Sequence, residues 1–199
     1  MKLQKYTYIF ILGFLCFFIS QILLRIPILT NYVYKNINFT IYQIKNPLLT
    51  GILIAISAGV FEEIFRFLFR KYLIKNSFSI VEPTLFGLGH SLMEIIYIFK
   101  PLIINYGFGV IGPLAIVERI IATIFHIEMS IVIWDGFLKN KKYLFLMTAI
   151  FLHSLMDSVI PIGMYLKLSV ISIEIIFAVL VILIGIFNIK WSVKNYEKK

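Results

Sequence analysis

The chain has 199 residues, 60% of them hydrophobic and only 15% charged, with mean hydropathy +0.94; soluble domains hold about 45–50% apolar and 25% charged residues. That composition excludes a soluble enzyme and describes a membrane protein. The net charge of +9 does not imply a nucleic-acid partner, because the basic residues gather at the ends of apolar segments, where positive-inside topology places them.

Hydropathy divides the chain into six spans, roughly 6–28, 48–72, 79–99, 113–137, 142–161 and 168–190, each near the ~20 residues a helix needs to cross a bilayer. The expected fold is all-α: a polytopic bundle of about six transmembrane helices, one integral-membrane domain over 1–199, with a catalytic core at about 48–161. The expected location is the cell membrane, as a multi-pass protein.

The first span follows Lys2 and Lys5 and runs apolar from Tyr6 to Leu24. It is longer than a signal-peptide core and no small-x-small cleavage site follows, so it reads as a retained helix. Cys16 lies inside it, and a lone cysteine forms no intrachain disulfide. Pro27, Pro47, Pro83, Pro101, Pro113 and Pro161 all fall at or near proposed helix ends, where a missing N–H costs least. Thr30 to Asn46 is the most polar connection. With the N-terminus inside, twelve of the 19 basic residues lie on the cytoplasmic side and five on the other. Both termini are therefore expected to be cytoplasmic.

An ionisable residue at bilayer depth costs about 2.5–3.5 kcal/mol at a helix centre, and such residues usually face the bundle interior and serve a site. The second span contains Glu62-Glu63-Ile64-Phe65-Arg66. Glu62 and Arg66 lie one turn apart, so the expected ion pair is between these two. Glu63 points about 100° away. Glu62 would then stay ionised while Glu63 keeps a proton to transfer.

The third span reads Phe86-Gly87-Leu88-Gly89-His90-Ser91-Leu92-Met93-Glu94. His90 and Glu94 share a face, so Glu94 is expected to orient the imidazole, and Gly87 permits close approach of another chain segment. In the fourth span, Arg119, Thr123, His126 and Ser130 form one stripe. Glu118 and Arg119 are expected to pair with other helices rather than with each other. Glu128 and Asp135 receive no chemistry. The fifth span reads His153-Ser154-Leu155-Met156-Asp157, with Asp157 placed to accept a hydrogen bond from the ring. Glu174, in the sixth, has no polar partner one turn away.

The order Glu-Glu-x-x-Arg, His-x-x-x-Glu, His-x-x-x-Asp on successive membrane helices resembles the superfamily of intramembrane proteases that includes the CAAX prenyl endopeptidases, the CPBP proteins and PrsW. It is most similar to the YhfC family of intramembrane metalloproteases. The matching segments are Ala58 to Leu68, Phe86 to Ile96, Glu118 to Ser130 and His153 to Asp157. The resemblance implies catalytic roles for Glu62, Glu63, His90 and His153, with Asp157 as a companion. The CPBP pattern places arginine five residues after the first glutamate, where this chain has Phe67. Arg66 comes one earlier, the spacing of the YhfC-like and PrsW-like branches, and this leaves open which glutamate activates water.

The expected function is hydrolysis of a peptide bond of a membrane protein or peptide substrate, in or near the lipid bilayer. A glutamate would take a proton from water positioned by His90, and His153 with Asp157 would stabilise the oxyanion. Arg66, Glu94 and Arg119 are supporting residues. Zn2+ is the candidate cofactor, held by His90, His126 and His153, although no two histidines have HExxH spacing and metal-free activation needs the same residues. The rival readings are a proton- or ion-coupled transporter and a non-catalytic assembly factor. The catalytic cavity is expected in the cytoplasmic half, because the glutamates come late in an inward-running helix.

Overall fold

A computed structural model describes residues 2–75 and 79–196, and every regular element among them is helical. α1 (Lys2–Phe17) continues without a break through a π-helical stretch, Phe18–Arg25, a single α turn, α2 (Ile26–Ile28), and a second π-helical stretch, Leu29–Val33. A short surface helix, α3 (Ile37–Lys45), follows in what composition marked as a polar connection. The long helices are α4 (Pro47–Tyr72), α5 (Val81–Tyr106), α6 (Pro113–Leu138), α7 (Lys142–Tyr165) and α8 (Val170–Tyr196).

Among the described residues, five helical stretches are long and apolar enough to cross a membrane: Leu3–Val33, Pro47–Tyr72, Val81–Tyr106, Lys142–Tyr165 and Val170–Asn188. The protein is a multi-pass membrane protein. The remaining long helix, α6, occupies the expected fourth span but is not among the five. It carries Glu118, Arg119, Glu128 and Asp135 and packs against α4, α5, α7 and α8. Its first half exposes Leu114, Ile116, Val117, Ile120 and Ile124, while its second half is largely buried among the neighbouring helices.

Proline placement departs from expectation. Pro47 and Pro113 do open α4 and α6. Pro101 and Pro161, however, lie inside α5 and α7, and Pro27 lies inside the long N-terminal helix. Ending a helix within the bilayer would leave backbone groups without partners, which costs more than the one bond proline removes. Around Pro27 the chain shifts to wider turns: the Ile26 N–H donates to the Gln21 carbonyl and the Tyr34 N–H to the Leu29 carbonyl, at 2.8 Å.

The helices close a ring. α1 lies on α5, α5 on α6, α6 on α7, α7 on α4, and α4 returns to the N-terminal helix through Phe18–Arg25. α8 packs outside, on α6 and α7. Two glycines flank His90 and bring its helix close to both neighbours. A Cβ at Gly89 would lie 2.0 Å from the Phe10 carbonyl oxygen on α1, and one at Gly87 would lie 2.5 Å from the Ile127 Cα on α6. Below the ring's centre the bundle is filled by aromatic contacts among Phe67, Phe69, Phe86, Trp134, Phe137 and Tyr143.

This close approach has a measurable consequence. Gly89→Ala should cost about 1–3 kcal/mol through overpacking, lowering the unfolding temperature of the detergent-purified protein by several degrees. Gly109→Ala, where a Cβ meets nothing within 4 Å, should leave it unchanged. Equal unfolding temperatures would mean that α1 and α5 are not in backbone contact.

Candidate active site

Four helices of the ring place their ionisable residues at its centre: Glu62, Glu63 and Arg66 from α4, His90 and Glu94 from α5, Arg119 and His126 from α6, and His153 and Asp157 from α7. Glu62 is the focus. Its Oε2 accepts a hydrogen bond from His90 Nε2 at 2.9 Å. The same oxygen lies 3.7 Å from His153 Nε2 and 3.9 Å from His126 Nδ1. The His90 and His126 rings are 4.7 Å apart, and those of His126 and His153 are 5.7 Å apart.

Carboxylates behind two of these rings fix their tautomers. His153 Nδ1 donates to Glu63 Oε1 at 2.7 Å, and His126 Nε2 donates to Glu94 Oε2 at 2.7 Å. In their neutral forms both rings therefore turn a bare nitrogen toward Glu62 Oε2. The nearest donor to His126 Nδ1 is Arg66 Nη2, at 3.4 Å. Two imidazole lone pairs and a carboxylate oxygen thus face one another in a water-poor interior. Such an arrangement calls for a cation among them, either a proton or a metal ion. Ligand atoms of Glu62, His90 and His126 all lie within 4.8 Å of one another.

Several pairings differ from those expected. Arg66 does not pair with Glu62: its Nε lies 3.3 Å from Glu63 Oε2, and its Nη1 donates to the His126 carbonyl at 2.6 Å and to Ser130 Oγ at 3.0 Å. Glu94 does not orient His90. It holds His126 and lies 2.9 Å from Arg119 Nη1. Arg119 also pairs with its neighbour Glu118, so those two do meet each other. Asp157 makes no hydrogen bond to His153: its Oδ2 is 3.8 Å from Nε2, and Glu63 serves that ring instead. The close ligand group contains Glu62 where His153 was expected. The three histidines and Glu94 meet partners on facing helices at shorter range than partners one turn along their own helix. Arg66, by contrast, takes Glu63, three residues before it on the same helix, and Arg119 takes both its neighbour Glu118 and Glu94 across the interface.

A cavity of about 470 Å³ adjoins the cluster and is lined by Glu62, His126, His153 and Asp157. Glu63 and His90 do not line it. It extends past Arg25, Gly51, Ile98, Glu118 and Met164. Aromatic side chains fill the opposite end of the bundle. Two polar residues of the site escaped sequence reasoning. Gln21 Nε2 donates to Glu62 Oε1 at 2.9 Å, and Arg25 stands behind Gln21. The i, i+4 spacing of these two polar residues at the end of the first apolar run is a readable signal.

A family model described as YhfC intramembrane metalloprotease matches residues 2–106 and 109–183. The chain belongs to this family. It is 26% identical over 224 residues to the uncharacterized membrane protein YhfC of Bacillus subtilis (strain 168), an alignment covering 94% of this chain and 83% of that one. No solved structure matches it.

The Arg66–Glu63 pairing predicts a specific rescue. Arg66→Met leaves a buried carboxylate without its cation and should cost about 3–5 kcal/mol, read as lost yield and a lower unfolding temperature. Adding Glu63→Gln should recover most of that loss, whereas adding Glu62→Gln should not. Equal rescue by the two glutamine changes would refute the assignment of the pair.

Proposed function

We propose that this member of the YhfC family hydrolyses a peptide bond at the cavity next to Glu62, within the membrane. The observation that carries the reading is the convergence of His90, His126 and His153 on one carboxylate oxygen, with Glu63 and Glu94 backing two of the rings.

The donor set fits a divalent cation. Glu62, His90 and His126 offer one oxygen and two nitrogens within 4.8 Å, the N/O chemistry of a catalytic zinc site that leaves a position open. The Glu94 carboxylate on the far nitrogen of His126 is the outer partner such a ligand commonly has. Bound there, zinc would supply Lewis acidity, polarising a carbonyl and making water easier to ionise.

The chain's own residues supply the remaining chemistry. Glu62 is favoured over Glu63 as the base, because it lines the cavity while Glu63 is buried against Arg66 and His153. In the metal-free route, which leaves Glu62 Oε2 unligated, a water held in the cavity gives a proton to that oxygen as its own oxygen attacks the scissile carbonyl. His153, with Glu63 on Nδ1, carries a second proton on Nε2 and donates a hydrogen bond to the oxyanion. As the C–N bond breaks, Glu62 passes the water's proton to the leaving amine. Arg66 balances the charge of Glu63, so the two adjacent carboxylates can coexist. The apolar wall from Phe17, Ile54, Ala58, Phe125 and Ile160 keeps bulk water out and strengthens each of these interactions.

Cleavage of quenched fluorescent membrane peptides by the full chain in proteoliposomes tests this reading. Glu62→Gln should lower kcat by about 10²–10⁴-fold, the size of a general-base contribution. Glu63→Gln should cost about 10–100-fold, as a partner acting through His153. Asp157→Asn should cost less than either, because Asp157 makes no hydrogen bond to the ring. If metal is required, chelation and His126→Ala should abolish cleavage together and remove bound zinc. Full cleavage by the Glu62→Gln protein would end the assignment.

A further inference from the structure

Glu62 depends on more than its histidines, and the second support comes from the N-terminal helix. Ser20 and Gln21 are buried at 0% and 2% exposure, in the π-helical stretch Phe18–Arg25. This stretch packs against α4, the helix of Glu62. Gln21 Nε2 donates to Glu62 Oε1 at 2.9 Å, while Gln21 Oε1 accepts from Arg25 Nη1 at 2.9 Å. An arginine can only donate, so the atom facing it must be the amide oxygen. The NH2 group is therefore turned to Glu62 with no ambiguity of flip.

Arg25 is itself pinned. Its Nε donates to Ser57 Oγ at 2.9 Å and its Nη2 to the Ile54 carbonyl at 2.8 Å. Both acceptors lie on α4, so the guanidinium is referenced to the helix that carries the glutamate. The π-helical turns have a chemical use here. They change the phase of the helix so that two polar residues four apart both meet α4 at membrane depth, and wide turns of this kind occur often at functional sites.

Resting on the reading of Glu62 as the working carboxylate, we infer that Gln21 and Arg25 are positioning residues for it. Arg25 orients Gln21, and Gln21 holds Oε1, so that Oε2 is the oxygen presented to the histidines and to water. The neutral amide matters as much as the hydrogen bond. Among the described residues Glu62 has no arginine or lysine within ion-pairing distance, only imidazoles. Gln21 is a spacer that transmits the geometry of Arg25 without bringing its charge into contact with the carboxylate, which is fixed in place.

The test needs no knowledge of the natural substrate. The infrared difference spectrum between the purified full chain and its Glu62→Gln variant isolates the Glu62 carboxylate band. Gln21→Met, similar in size and acceptable to a membrane helix, should shift that band. Arg25→Met should shift it in the same direction, and the double variant should match Gln21→Met alone, because one residue acts through the other. Arg25→Lys keeps the charge and loses part of the pinning, so it should give a smaller shift of the same sign even if Arg25→Met folds poorly. In peptide cleavage, Gln21→Met should lower kcat by about 10–100-fold with little change in KM. An unmoved band in Gln21→Met would overturn the inference whatever the activity. Independent, additive shifts in the double variant would overturn the relay. A moved band in a chain that cleaves no peptide would sustain the positioning of Glu62 and count against the hydrolase reading alone.

Discussion

Two adjacent carboxylates buried near the middle of a membrane bundle are the constraint from which the rest of this structure follows. Neither Glu62 nor Glu63 can be left without donors in a medium that offers no water. No single neighbouring helix supplies enough. The N-terminal helix brings Gln21, α5 brings His90 and α7 brings His153, while α4 itself returns Arg66 to Glu63. Closing the ring of helices and satisfying the carboxylates are therefore one event. Each ring contact is held where it is because a charge inside it needs a partner.

That demand explains why the backbone geometry is unusual where it is. α5 can deliver His90 to the centre only if its flanks approach α1 and α6 closely, and the glycines on both sides of His90 permit this. The N-terminal helix can deliver Gln21 and Arg25 together only by widening its turns. In each case a local feature that weakens an isolated helix, a glycine or a π turn, is offset by polar contacts at the site. The aromatic packing beneath the cluster, with Phe86 and Trp134 fully enclosed, fills one end of the bundle.

Fold class, the long helices and the family were legible in the sequence. Hydropathy is a property of whole segments, and a membrane suppresses alternatives to the helix. The residues that assemble were legible too, since Glu62, Glu63, His90, His126 and His153 are conspicuous in apolar surroundings. Their pairing was not. The i, i+4 rule describes neighbours on a helix surface, and it joined Glu62 to Arg66, His90 to Glu94 and His153 to Asp157. Interior positions can also meet a facing helix, as His90 meets Glu62, His126 meets Glu94 and His153 meets Glu63. Which helices face one another is set by packing over the whole bundle, and no spacing within one span encodes it. Gln21 is uncharged, and only its i, i+4 spacing to Arg25 marks it within the apolar run.

The glutamate doublet itself shows how one dipeptide can yield two chemistries. Adjacent residues on a helix point about 100° apart, so Glu62 and Glu63 meet different surroundings despite sharing a backbone. Glu63 turns toward Arg66, whose full positive charge compensates it and commits it to orienting His153. Glu62 turns toward the cavity and is held by an amide and an imidazole. The two carboxylates therefore differ in access: Glu62 reaches the cavity, whereas Glu63 is enclosed between Arg66 and His153. Exchanging the environments would exchange the roles, and for that reason the position of Arg66 relative to the doublet carries as much functional information as the doublet does.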